Sequence, residues 1–233
     1  MPDETILVVE QVSLAVLPPY EAGLEHVSLT LKRGDLLLIR TENGHPHSPL
    51  ADVVSGLVEP AEGRVLFAGE DWRRMTPPRA AACRGRIGRV FETGGWINNL
   101  DVDENITLAQ RHHTLRPVAE LYVEAERWAR CFGLPEVPRM RAALLKRSEL
   151  RRAEWIRALM GPPALLLLEQ PGRNVPAEFL AGLAAAVQEV RATGSAVIWL
   201  EQNFTPWPAL VAAATGQWML EGARLQPREE MGS

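Results

Sequence analysis

An α/β fold built on a parallel sheet, with antiparallel strands ahead of it and a helical stretch set into it, is what the sequence predicts. Three observations carry this. Short unbroken apolar runs at Leu36–Ile39, Ala164–Glu169 (ALLLLE) and Ser195–Leu200 (SAVIWL) read as strands buried on both faces. Between the last two, Phe179, Leu180, Leu183, Val187 and Val190 share one helical face, and strand–helix–strand in that order implies a right-handed crossover between parallel strands. From Asp101 to about Met160 the apolar spacing is helical.

Ile6–Val16 and Leu24–Leu31 alternate partially and flank the turn composition PPYEAG, so they read as two antiparallel strands. Lys32–Asp35 is a turn into the strand at Leu36. Ser48 and Pro49 supply an N-cap and first-turn pair for a helix whose apolar face is Leu50, Val53, Val54 and Leu57. Strand, polar turn and amphipathic helix between Leu36 and Pro60 together give the layout of a phosphate-binding loop. Gly63–Gly69 and Ile87–Glu92 read as further strands, and Gly216 onward as a hairpin closing on Glu221-Gly222. Pro227–Ser233 is expected to be a loose tail.

The 233 residues suit one sizeable core, or one core with an insertion. A formal charge of −4 gives no electrostatic case for nucleic acid. The two cysteines, Cys83 and Cys131, are too few for a disulfide framework or metal knuckle and are expected as buried apolar side chains. His112 and His113 lack the spacing of a shared metal face and read as surface residues. Lys146, Arg147, Arg151 and Arg152 read as a solvated basic face. The acidic N-terminus shows no secretory signal, and no run approaches the ~18 apolar residues of a membrane span, so a cytoplasmic protein is expected.

Several phrases, in order, resemble the ATP-binding subunit of ABC transporters along nearly the whole chain: LEHVSLTLKRGDLLLI, SGLVEPAEGRVLFAG, IGRVFE followed by NNLDVDENITL, RRAEWIRALMGPPALLLLEQP and AVIWLEQN. The resemblance implies a P-loop NTPase-like (ABC ATPase) core at about 1–92 and 161–233, an N-terminal antiparallel β subdomain and an inserted helical subdomain at about 93–160. It also implies ATP and magnesium as cofactors, a membrane subunit and a second ATP-binding subunit as partners, and a place on the inner face of the plasma membrane. LDVDENITL, following WINNL, resembles the lipid-asymmetry and Mce-type importers of that family. In this segment, which the family turns toward its membrane subunit, Trp96 is expected either as a docking anchor or packed under the helical insertion.

The ligand-facing positions depart from the family. Against the loop GPNGSGKST the chain supplies Thr41, Glu42, Asn43, Gly44, His45, Pro46, His47, Ser48 and Pro49. Thr41, Asn43, Gly44, His45, His47 and Ser48 are the candidate nucleotide contacts, and Ser48 and Glu169 the candidate metal ligands. Pro46 has no N–H to donate and His47 replaces a permanent charge with a group mostly neutral near pH 7. The adenine-stacking aromatic falls at Val16, with Tyr20 able to reach a base only after rearrangement of the turn. Glu92 stands where the family has a glutamine, Gln170 where it has the glutamate that activates water, and Gln202 where it has the switch histidine. Leu145–Glu149 (LKRSE) stands where glycines of the signature close over the opposite subunit's nucleotide. The expectation is a catalytically degenerate subunit, structural or regulatory, binding ATP weakly or not at all. The alternatives are an active ATPase with a non-consensus site and a free-standing interaction module.

Overall fold

The protein is described by a computed structural model covering residues 5–42 and 48–227. In chain order it runs β1 (Thr5–Leu14), β2 (Leu24–Lys32), β3 (Leu36–Thr41), α1 (Leu50–Val54), β4 (Glu62–Phe67), β5 (Glu70–Asp71), α2 (Pro77–Arg84), β6 (Ile87–Val90) and α3 (Val102–His113). There follow α4 (Val118–Cys131), α5 (Arg147–Leu159), β7 (Leu165–Glu169), α6 (Ala177–Ala192), β8 (Ala196–Glu201), α7 (Pro208–Ala212), β9 (Gly216–Glu221) and β10 (Arg224–Pro227). An antiparallel sheet has the order β2-β1-β4-β5. A second has the order β10-β9-β3-β8-β7-β6, parallel except for β10 at its edge.

The second sheet is buried on both faces, which is why its strands are continuous apolar runs. Leu38, Val90, Leu166, Leu168, Val197 and Trp199 turn to one side and join α3, α4, α5 and α6 in one core. Leu37, Ile39, Leu165, Leu167, Ile198 and Leu200 turn to the other and join α1 and the antiparallel sheet in a second. The expected leucine core at Leu165–Leu168 is at most 1% exposed. Carboxyl ends of β6, β7 and β8 therefore converge at one rim, where Glu92, Glu169 and Glu201 emerge.

Two local expectations need correction. The helix after the loop starts at Leu50 and ends at Val54, because Gly56 at φ +66° closes it: the Leu57 amide donates to Asp52 O at 2.8 Å and the Gly56 amide to Val53 O at 3.1 Å. Leu57 is consequently 55% exposed rather than part of the apolar face. Cys83 is buried, but Cys131, the last residue of α4, is exposed.

Gly88 in β6 lets α5 approach the sheet: a Cβ there would lie 1.9 Å from the carbonyl oxygen of Ala158. Since that obstacle is backbone, Gly88→Ala is expected to destabilise the fold by about 1–3 kcal/mol. Urea unfolding measures this, and an unchanged midpoint would mean that α5 is not held against β6 as described.

Candidate functional site

Among the described residues, the fold brings most of the sequence-predicted site together. Thr41, Ser48, Glu92, Glu169 and Gln170, with Leu200, line a cavity of about 20 Å³, room for about one water molecule. Thr41 ends β3, Glu169 ends β7, and Ser48 precedes α1, where its Oγ accepts from the Leu50 amide at 3.2 Å. Asn43, Gly44, His45, Pro46 and His47 lie outside the described residues. Gln202 sits apart from the small cavity, on a larger one of about 480 Å³ that it shares with Glu92, Gln170, Arg173, Glu201 and Trp207.

The phosphate-binding end of α1 is modest. The helix has five residues, so few peptide dipoles align along it. Pro49 has no amide hydrogen, Leu50 gives its own to Ser48, and Asp52 places a carboxylate in the first turn.

Around the rim each acidic group has a neighbour. Gln170, held at φ 43° with its amide on Leu200 O at 2.8 Å, donates through Nε2 to Glu92 Oε1 at 3.1 Å. Arg173 lies 3.7 Å from the same carboxylate oxygen. Arg89 Nε donates to Glu169 Oε1 at 2.7 Å and its Nη1 to Asp52 Oδ1 at 2.5 Å, the side chain being 8% exposed. Burial on its own would lower the Arg89 pKa, but Glu169 and Asp52 outweigh it and hold the group above its ordinary value. The Tyr20 hydroxyl donates to Asp52 Oδ2 at 2.7 Å, and burial with that bond pushes its pKa up to about 12. Glu201, at the end of β8, is pushed up to about 6, mainly by burial.

At the stretch aligned with the signature, Lys146 and Arg147 are exposed as expected. Arg151 and Arg152 are not: they are 7% and 6% exposed. Arg151 donates to Phe91 O at 2.6 Å, Glu92 O at 2.9 Å and Glu154 at 2.6 Å, and Arg152 to the carbonyls of Phe132 and Gly133 at 2.9 Å each. They are buried because α5 is enclosed on nearly all sides, so the solvated-face rule fails there. Glu149 Oε2 accepts from the Lys146 amide at 3.2 Å, putting a carboxylate over the N-terminus of α5. Trp96 is half-buried, with its indole N–H on Glu154 Oε1 at 2.9 Å and Arg157 over its ring, which favours packing over docking. His112 and His113 are exposed.

Sequence reasoning missed Asp52, Arg89 and Glu201 as members of the site. A signal existed for the first two: opposite charges, one inside an apolar strand and one inside an apolar helix face, have to meet something when buried. Among the described residues no group of three or more His, Cys, Asp or Glu is placed to hold a metal, and no helix is long and apolar enough to cross a membrane.

This arrangement matches solved ATP-binding cassettes in fold. A solved ATP-binding subunit of an ABC transporter superposes with a TM-score of 0.79 at 19% identity over 94% of this chain and 88% of that one. A bacterial ABC transporter cassette solved as a dimer gives 0.81 at 17% identity over 97% of this chain and 100% of that one. The ABC transporter family model matches residues 24–173, and the chain belongs to that family. Among curated relatives, the intermembrane phospholipid transport system ATP-binding protein MlaF of Escherichia coli (strain K12) is 26% identical over 63% of this chain and 55% of its own length. The ribose import ATP-binding protein RbsA of Rhodopirellula baltica is 28% identical over 85% of this chain and 39% of its own. The chain thus spans about half, or less, of these two relatives.

The Glu201 shift makes a signed prediction. Between 4.5 and about 6 the folded chain keeps a proton that the unfolded chain has released, so this group's contribution to stability falls as pH rises through that window. Glu201→Gln is expected to gain about 1–2 kcal/mol relative to wild type on going from the acid to the neutral side. Denaturation across that range measures it, and a pH-independent difference would place Glu201 in solvent.

Proposed function

We propose that the chain is an ATP-binding-cassette subunit of an ABC transporter that has given up hydrolysis, binds ATP weakly or not at all, and serves a membrane subunit or an active ATPase as a structural or regulatory partner. The observation that carries this reading is the bond from Gln170 to Glu92. The residue at the water-activating position is an amide, which cannot take a proton, and it is turned onto the carboxylate at the metal-sensing position. Loss of a general base costs ~10² to 10⁴ in rate. The modest α1 terminus and the carboxylate over α5 both disfavour a polyphosphate.

Partners follow the relatives, which are named as ATP-binding proteins of transport systems, and a similar cassette was solved as a dimer. LDVDENITL and the match to a phospholipid-transport protein both favour a lipid-handling transporter as the setting. The chain would then sit on the inner face of the membrane, held there by its membrane subunit.

One observation favours an active enzyme instead: Glu201, with its raised pKa, borders the large cavity beside Gln202 and is a candidate general base. Steady-state ATP hydrolysis by the purified protein, alone and with its membrane subunit, separates the readings. No turnover and little heat on titration with Mg-ATP are expected. Turnover abolished by Ser48→Ala or Glu201→Gln would overturn the non-hydrolysing reading. The triple change Pro46→Gly, His47→Lys and Gln170→Glu is expected to raise Mg-ATP affinity while leaving hydrolysis near background, because Leu145–Glu149 is unchanged.

A further inference from the structure

A magnesium ion, which the family implies, would draw on Ser48 and Glu169, and the side chains do not fit it. The Ser48 oxygen serves the Leu50 amide, and Glu169 Oε1 serves a guanidinium. The cavity between them admits about one water, whereas magnesium keeps several waters of its own.

We propose that Arg89 is the resident cation of this site, a guanidinium bridging Asp52 and Glu169 in place of a divalent metal. β6 is the strand that puts it there: Gly88 and Val90 are buried on one side and Arg89 projects from the other. Nε and Nη1 reach the two carboxylates, Ser55 Oγ lies 3.4 Å from Nη1, and the Phe91 ring lies 4.4 Å from the guanidinium carbon. Asp52 is held from behind by the Tyr20 hydroxyl, so one connected path joins the turn before β2, α1, β6 and β7. Arginine suits the task because its charge is permanent and its planar fork satisfies two carboxylates in fixed directions. A divalent ion approaching Glu169 would meet a like charge already in contact with it and would have to displace a buried, doubly paired side chain. The site is therefore closed by the protein's own charge, independently of nucleotide and metal.

This assignment deepens the reading of a non-hydrolysing subunit and is tested without nucleotide, so that either can fail while the other stands. Mn²⁺ is titrated into the intact protein and the free ion is read by electron paramagnetic resonance. Wild type is expected to show no saturable site at millimolar concentrations. Arg89→Met is expected to expose the carboxylate pair and bind one Mn²⁺ at least about ten-fold more tightly than wild type, the minimum that removing a like charge from beside the ion would give. The melting temperature should rise with Mn²⁺ in that variant, and both effects should vanish in Arg89→Met/Glu169→Gln. A saturable wild-type site removed by Glu169→Gln overturns the proposal, as does a folded Arg89→Met without a site. If Arg89→Met does not fold, Arg89→Gln replaces it under the same criteria, and the wild-type titration is decisive alone.

Discussion

Three carboxylates leave a dry sheet at one rim, and the surrounding structure is arranged to answer their charge. Glu92, Glu169 and Glu201 follow the carboxyl ends of β6, β7 and β8, where open α/β sheets place their ligands. Burying a carboxylate without a partner is costly enough that the fold must supply one or hold the proton. Both solutions occur here. Glu169 and Glu92 meet arginine or amide donors, and Glu201 takes a raised pKa.

The same requirement explains α5. A helix enclosed on nearly all sides ought to be apolar, yet it contributes Arg151, Arg152 and Glu154 to the interior. The two guanidinium heads are spent on backbone carbonyls of the strand end after β6 and of the turn after α4, and Glu154 accepts from Arg151 and from the Trp96 indole. Arg151 thus fixes the backbone of Glu92 while Gln170 fixes its side chain. The helix aligned with the family's signature is thereby tied to Glu92 from within one chain.

The fold was legible because its signals are local. ALLLLE and SAVIWL announce doubly buried strands, and the repeat from Phe179 to Val190 announces the crossover helix. The end of α1 was misread because Leu57 fits the period while Gly56 ends the helix first, and a glycine in a left-handed turn outranks periodicity. The site was half legible. Thr41, Ser48, Glu92, Glu169 and Gln170 were found by their place in an ordered set of phrases and do converge. Arg89 and Asp52 were missed because their bond spans 37 residues, and Arg89–Glu169 spans 80, distances at which neither propensity nor periodicity carries information.

How the substituted positions are satisfied distinguishes two histories of such a site. If ligand contacts had been lost while nothing replaced them, the rim would hold buried polar groups stripped of phosphate and metal, each a continuing cost to the fold. Instead Gln170 faces Glu92, Arg89 faces Glu169 and Asp52, Glu149 covers the end of α5, and Ser48 accepts from the Leu50 amide although Pro49, not Ser48, is the N-cap of α1. Thr41 Oγ1, at the mouth of the loop, is the buried rim oxygen left with no hydrogen bond among the described residues. A rim that supplies its own counter-charges does not need a nucleotide to become stable. That self-sufficiency is what the proposed non-hydrolysing subunit would require.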